Sequence, residues 1–164
     1  AGDRVTAWLH PELDPGDTGY QILQSLYAIG SGGLFGLGYG KSRQKYLYLP
    51  FQYNDYIFAV ICEELGLVGA MAIVALFAVT ILRGYWIALN ARDRFSTVLA
   101  AGLVTLIAVQ TILNLCVVTN LLPSTGIALP FFSYGGTALA VNLGEMGIVL
   151  GVSRGRNRRK IQEA

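Results

Sequence analysis

Three long apolar stretches constrain the fold of this chain more than any other feature. They run over residues 57–82, 97–118 and 134–152, and each reaches the roughly 20 residues that a helix needs to cross a membrane. Such a helix satisfies its own backbone hydrogen bonds, which lipid requires. Hydrophobic residues make up 54% of the chain and charged residues only 13%, so lipid is the expected surrounding for most of it. The sequence therefore predicts an all-α membrane protein with three transmembrane helices.

The arginines predict how these helices are oriented. Three arginines lie in the connector at residues 83–95, and the tail at residues 154–164 is also rich in basic residues. The connector at residues 120–133 carries no charge. Because basic loops favour the cytoplasmic side, we expect residues 83–95 and the C-terminal tail to be cytoplasmic. The connector at 120–133 and residues 1–55 would then lie outside.

The predicted outer segment, residues 1–55, contains two features. The stretch DTGYQILQSLYAIG predicts a short helix at the membrane interface, because four of its large side chains share one face at helical spacing. They are Tyr20, Leu23, Leu26 and Tyr27. Six glycines follow within residues 30–40, which predicts a bent loop whose interleaved apolar residues enter the interface. This loop includes GLGYGKS, but its glycine spacing does not fit a phosphate-binding loop.

Acidic and amide side chains in and beside the apolar stretches are the candidate functional residues. A charge in the middle of a bilayer costs about 2.5–3.5 kcal/mol, so such residues usually face protein or water and have a role. We interpret the intramembrane set as a structural polar network that bridges helices. Its members are Glu63, Glu64, Gln110, Asn114, Asn142 and Glu145.

Asp55 differs from this set because it stands at the outer boundary of the first apolar stretch, where water and a substrate could reach it. Along a helix it would lie about 12 Å from Glu63, too far to share a proton. Asp55 is therefore predicted to act as a single acid–base group. No metal site built from protein ligands is predicted, because His10 has no histidine or cysteine partner at ligand spacing.

Three long stretches also carry a family resemblance. They are GYQILQSLYAIGSGGLFGLGYGKSRQKYLYLP, DYIFAVICEELGLVG and LLPSTGIALPFFSYGGT. In sequence and order they resemble the SEDS family (shape, elongation, division and sporulation), which includes FtsW, RodA and SpoVE. The glycine-rich segment is more similar to the FtsW and SpoVE branch. Family members have roughly ten helices, more than this length can hold, so the resemblance implies the C-terminal portion of such a protein: an extracellular loop and the last three helices.

The resemblance implies an activity as well. The family polymerises lipid II into peptidoglycan glycan strands, and its essential aspartate maps onto Asp55 in LPFQYNDYIFAVICEELG, which makes Asp55 the expected general base. Arg43 and Lys45, or a divalent cation, would neutralise the pyrophosphate that leaves, and Ser133 is a further candidate substrate contact. The expected partners are lipid II, the growing glycan strand and a class B penicillin-binding protein, which is a transpeptidase. No nucleic acid is expected, and the expected location is the bacterial cytoplasmic membrane.

The sequence departs from the family pattern beside Asp55. Phe51 stands where the family commonly has glutamate, which changes the local electrostatics and leaves a metal role open. Two alternatives to a glycosyltransferase are a lipid II flippase and a non-catalytic scaffold for the transpeptidase. An acid at the membrane boundary favours chemistry, whereas acids deep in the bilayer would suit transport better.

Overall fold

A computed structural model of the chain describes Trp8 and residues 18–38, 56–132 and 135–162. These residues form four helices, namely α1 (Thr18–Ser31), α2 (Ile57–Leu89), α3 (Arg94–Val118) and α4 (Gly136–Gln162). The described ranges contain no strand. Three stretches, α2, α3 and residues Gly136–Gly155 of α4, are long and apolar enough to cross a membrane. The predicted all-α fold with three candidate membrane helices is therefore confirmed.

The helix α2 continues past the apolar stretch that predicts it. Its last seven residues, RGYWIAL, contain no proline and one glycine, so nothing in the local sequence stops the helix at Leu82. It ends at Asn90, whose side-chain amide donates a hydrogen bond of 2.7 Å to the carbonyl oxygen of Trp86. The connector to α3 is thus only four residues long, and α3 packs directly against α2.

A short cap fixes the start of α3. The carboxylate of Asp93 accepts hydrogen bonds from the Ser96 backbone amide at 3.0 Å and from the Ser96 hydroxyl at 2.9 Å. Asp93 has extended backbone angles, as a residue that caps a helix N-terminus should. This cap explains why α3 begins at Arg94, three residues before the apolar stretch at residue 97.

The helix α1 packs against the start of α2 and the end of α3. Ser25 of α1 is buried, and its hydroxyl lies 2.8 Å from the Ile22 carbonyl oxygen and 3.4 Å from that of Val118 in α3. The indole nitrogen of Trp8 donates a hydrogen bond of 3.0 Å to the carbonyl oxygen of Asn120, just beyond α3. These contacts put α1 and the described part of the connector after α3, residues 119–132, at the same end of the helices. Which end faces outward stays a prediction from the arginines.

Buried apolar side chains form two clusters, one towards each end of the helices. The first joins α1, α2 from its start to Phe77, the end of α3 and the connector that follows; it contains Ala28, Tyr56, Phe58, Ala59, Cys62, Ala70, Phe77, Val118 and Leu129. The second joins the end of α2 to α3 and α4, and contains Ala88, Ala100, Val104 and Val149. Many other large apolar side chains on the spans are exposed, as lipid or further helices would require.

Candidate functional site

Four of the residues predicted to act on substrate lie outside the described part of the chain. They are Asp55, Arg43, Lys45 and Ser133. Asp55 directly precedes Tyr56, the residue just before α2 begins, so the start of α2 is the described scaffold nearest to the predicted base. The geometry of this scaffold is therefore the structural information that bears on the site.

The start of α2 is far more buried than the part that follows. Phe58 and Ala59 are buried in the first cluster, and Glu63 is only 1% exposed. By contrast, Leu67 and Val68, one turn further on, are 55% and 57% exposed. The start of α2 is thus packed on several sides by protein, which holds its position relative to α1 and the connector after α3.

A break in α2 separates these two parts. Gly66 has φ 68° and ψ −168°, a conformation that glycine adopts readily and other residues rarely do. In a continuous helix the amides of Leu67 and Val68 would donate to the carbonyls four residues earlier, those of Glu63 and Glu64. The break at Gly66 leaves these two donors and two acceptors to find other partners inside an apolar span, where unsatisfied backbone groups are costly.

The glycine-rich segment after α1 supplies all four missing partners. Residues 33–38 lie against residues 63–68, and the two segments exchange backbone hydrogen bonds; we call this arrangement the glycine clasp. The four bonds, donor first, are Leu67 N to Gly33 O at 2.9 Å, Val68 N to Leu34 O at 3.2 Å, Leu37 N to Glu63 O at 2.9 Å and Gly38 N to Glu64 O at 3.1 Å. The amides of Leu37 and Gly38 are thereby engaged by α2 rather than available to cradle a phosphate.

Two glycines at the centre of the clasp allow this close approach. Gly36 has a φ of 76°, which is positive like the φ of 68° at Gly66. A Cβ atom on Gly36 would collide with the Glu64 carbonyl and with the Gly66 amide nitrogen at 2.7 Å. A Cβ atom on Gly66 would collide with the Gly36 amide nitrogen and with the Leu34 carbonyl at 2.7 Å. The two segments are thus related by a local two-fold symmetry, in which each residue of one matches a residue of the other.

A second polar region lies between α3, α4 and the connector that joins them. Three residues of the predicted polar network, Gln110, Asn142 and Glu145, line a cavity of about 430 Å³ there. Asn142 and Glu145 are each only 8% exposed. The Oε2 atom of Glu145 is buried and has no hydrogen-bond partner among the residues that the structure describes. This cavity is otherwise largely apolar, and Phe131 and Leu139 form part of its wall.

The other three members of the predicted network lie elsewhere. The side-chain amide of Asn114 donates a hydrogen bond of 2.8 Å to the Ile127 carbonyl oxygen. Glu63 and Glu64 are buried beside the clasp, and the Oε1 atom of Glu64 has no hydrogen-bond partner within the described ranges. The joint role of the six residues as a helix-bridging network stays a prediction.

Across the described positions, no three His, Cys, Asp or Glu side chains are grouped as metal ligands would be.

Comparison with known proteins places the chain in a family. The sequence profile of the family described as "Cell cycle protein", which covers FtsW, RodA and SpoVE, matches residues 2–158. The chain is 51% identical over 151 residues to stage V sporulation protein E of Bacillus subtilis, covering 92% of this chain and 41% of that relative. It is 49% identical over 150 residues to a probable peptidoglycan glycosyltransferase FtsW of Geobacter metallireducens, covering 92% of this chain and 40% of the relative.

A solved structure agrees with this placement. The structure concerns polymerization and crosslinking by a peptidoglycan synthase complex, and one of its chains superposes with a TM-score of 0.74 at 32% identity, covering 94% of this chain and 41% of the solved one. The chain therefore spans about two fifths of the length of these relatives. With three helices able to cross a membrane, it is an integral membrane protein. It belongs to the FtsW, RodA and SpoVE family of cell cycle proteins.

Proposed function

We propose that this chain is part of a peptidoglycan glycosyltransferase that polymerises lipid II, and that Asp55 is its general base. The observation that carries the proposal is the 49% identity, over nearly the whole chain, to a protein named as a probable peptidoglycan glycosyltransferase. The resemblance of LPFQYNDYIFAVICEELG to the family motif then selects Asp55 among the carboxylates.

The position of Asp55 suits this reaction. It stands where the polar stretch FQYND meets the apolar helix α2, so its expected location is the boundary between water and lipid. A lipid-linked sugar presents its hydroxyl at that boundary while its chain stays in the membrane. The Asp55 carboxylate takes the proton of the acceptor hydroxyl as the oxygen attacks the anomeric carbon of the donor. A well-placed base of this kind contributes about 10²–10⁴-fold to the rate.

The leaving pyrophosphate gains negative charge, which a nearby cation stabilises. The bond from the anomeric carbon to the pyrophosphate oxygen breaks, and the lipid pyrophosphate departs with the electron pair. Arg43 and Lys45 are the proposed partners of the developing negative charge, because a preorganised cation stabilises it in the transition state. Ser133 is proposed as a further substrate contact, since it follows the connector residues that lie at the same end as α1.

A partner that crosslinks the new strands is also proposed. The solved structure reported above concerns the structural coordination of polymerization and crosslinking by a peptidoglycan synthase complex. A class B penicillin-binding protein, a transpeptidase, is the proposed partner of this chain. We further propose that α1 and the connector after α3 face outward and that the basic C-terminus faces the cytoplasm.

The test replaces Asp55 in the full-length protein. Asp55→Asn keeps the size of the side chain and removes the base, and Asp93→Asn is the matched control, since Asp93 caps α3 towards the opposite end of the helices. Each variant is purified with the transpeptidase, and glycan polymer made from purified lipid II is measured. We expect loss of at least a hundredfold for Asp55→Asn and near-normal rates for Asp93→Asn.

The other outcomes separate the alternative functions. Polymer at the normal rate from Asp55→Asn would remove Asp55 from the mechanism. Loss of lipid II flipping with normal polymerisation would favour a transporter. A wild-type complex that binds the transpeptidase but forms no polymer would favour a scaffold.

A further inference from the structure

The glycine clasp bonds the segment after α1 to α2 on both sides of the break at Gly66, through Glu63 and Glu64 before it and through Leu67 and Val68 after it. At Gly66 the two helical hydrogen bonds that would cross the break are replaced by four bonds to residues 33–38. The start of α2 is also buried against α1, whereas the helix beyond Gly66 is largely exposed. The clasp and the packing against α1 together fix the direction of the start of α2.

The four hydrogen bonds of the clasp form and break together, because all of them join the same two backbone segments around one close contact. Each bond has a mate, and both pairs pass beside the contact between Gly36 and Gly66. A side chain at either glycine would push the same two backbones apart. Opening the clasp would expose unsatisfied amides and carbonyls, so the alternatives to the closed form are costly within lipid. The clasp is thus a stiff joint.

We propose that Gly36 and Gly66 are positioning residues of the glycosyltransferase, which act by fixing the start of α2 and, through it, Asp55, which stands two residues before Ile57 in the chain. This inference rests on the proposed function. A general base must reach the acceptor hydroxyl at hydrogen-bond distance, and a displacement of about 1 Å can lower a rate by about a hundredfold. The clasp contacts no substrate in this account; it sets the angle from which the base approaches.

Three alanine variants of the full-length protein in complex with its transpeptidase test the clasp. Gly36→Ala and Gly66→Ala each introduce a collision between backbones at a positive φ. Gly33→Ala is milder, because φ is 54° there but a Cβ atom would meet nothing within 4 Å. Gly30→Ala is the matched control, since it lies in α1 with open space around its Cβ position and no strained φ.

Two measurements are made on each variant. Hydrogen–deuterium exchange reports the clasp itself, through the amides of Leu37, Gly38, Leu67 and Val68. Steady-state polymerisation gives kcat and KM for lipid II. We expect faster exchange at these amides, and kcat lowered by about tenfold or more for Gly36→Ala and Gly66→Ala, with KM within about twofold. The double variant should be no worse than either single one, because both open the same joint.

The outcomes decide between the inference and its alternatives. Faster exchange at the four amides with normal kcat in any variant would overturn it. So would a rise in KM with normal kcat, which would assign the clasp to substrate binding. If Gly36→Ala and Gly66→Ala do not fold, the exchange rates and kcat of Gly33→Ala are compared with those of Gly30→Ala instead. Loss of activity in Asp55→Asn with normal kcat in the clasp variants would reject the positioning role while leaving the proposed function intact, whereas an active Asp55→Asn would reject the function itself.

Discussion

The side-chain amide of Asn114 is hydrogen-bonded to the backbone carbonyl of Ile127 at 2.8 Å, and this bond ties the connector after α3 back onto the helix. Asn114 is fully buried. Leu129, two residues beyond Ile127, is 1% exposed and belongs to the first apolar cluster. The Asn114 amide and the buried Leu129 together hold the connector where it forms one wall of the cavity that Glu145 lines.

Removing this amide should loosen the connector. We expect Asn114→Leu in the full-length protein to lower the stability by about 1 kcal/mol, because the Ile127 carbonyl loses the amide that donates to it. The measurement is the thermal midpoint in detergent. Ile112→Leu is the control, since Ile112 is 58% exposed on the same helix and should leave the midpoint unchanged. Equal midpoints for both variants would show that the bond contributes nothing to stability.

The spans were predictable because a membrane helix is largely determined by its own sequence. The predicted stretch at residues 97–118 ends at Val118, as α3 does, and its earlier start at Arg94 reflects the Asp93 cap. The apolar stretch at residues 57–82 does not predict that α2 continues to Leu89, because the apolar pattern reports the limits of lipid contact rather than those of the helix.

The glycine clasp could not be predicted in the same way. A lone glycine in an apolar run is usually a tolerated helix residue, and nothing within residues 57–89 indicates that Gly66 takes a positive φ. That conformation depends on residues 33–38, a segment distant in sequence. The repeated glycines of this segment predict only a bent loop that enters the membrane interface. The position of Asp55 predicts an acid–base group, but only the family resemblance implies that it is the base of a glycosyl transfer.

The crossing of α2 and α3 depends on the absence of a side chain at Gly84. A Cβ atom there would lie 2.5 Å from Cγ2 and 3.0 Å from Cγ1 of Val104, which is 2% exposed and stiff because it is β-branched. We expect Gly84→Ala to destabilise the full-length protein by about 1–3 kcal/mol through overpacking. In Gly84→Ala with Val104→Ala, the added methyl has room, so the double variant should be more stable than the sum of the two single losses. Simple additivity in the thermal midpoints would contradict this packing.

The buried face of α1 gives a further prediction. Ser25 is 1% exposed and lies against the end of α3, whereas Tyr27 is 61% exposed on the same helix. Ser25→Leu should overpack this contact and lower the stability by about 1–3 kcal/mol, while Tyr27→Leu should have little effect. Limited proteolysis between α1 and α2 measures the release of α1 directly. Equal protease resistance in the two variants would mean that α1 lies on the membrane surface without packing on α3.

The cap of α3 predicts a dependence on pH. The Ser96 backbone amide, followed by its hydroxyl, lowers the pKa of Asp93 below its ordinary value of 3.8. Because the pKa of the folded state is below that of the unfolded state, the stabilisation is complete above the unfolded pKa and is lost as pH falls through the folded pKa. Asp93→Asn keeps an acceptor for the Ser96 amide but does not titrate. Below about pH 4 the thermal midpoint of the wild type should therefore fall more steeply than that of Asp93→Asn. Near neutral pH the two midpoints should run in parallel. Parallel curves throughout the acid range would mean that the carboxylate does not cap α3.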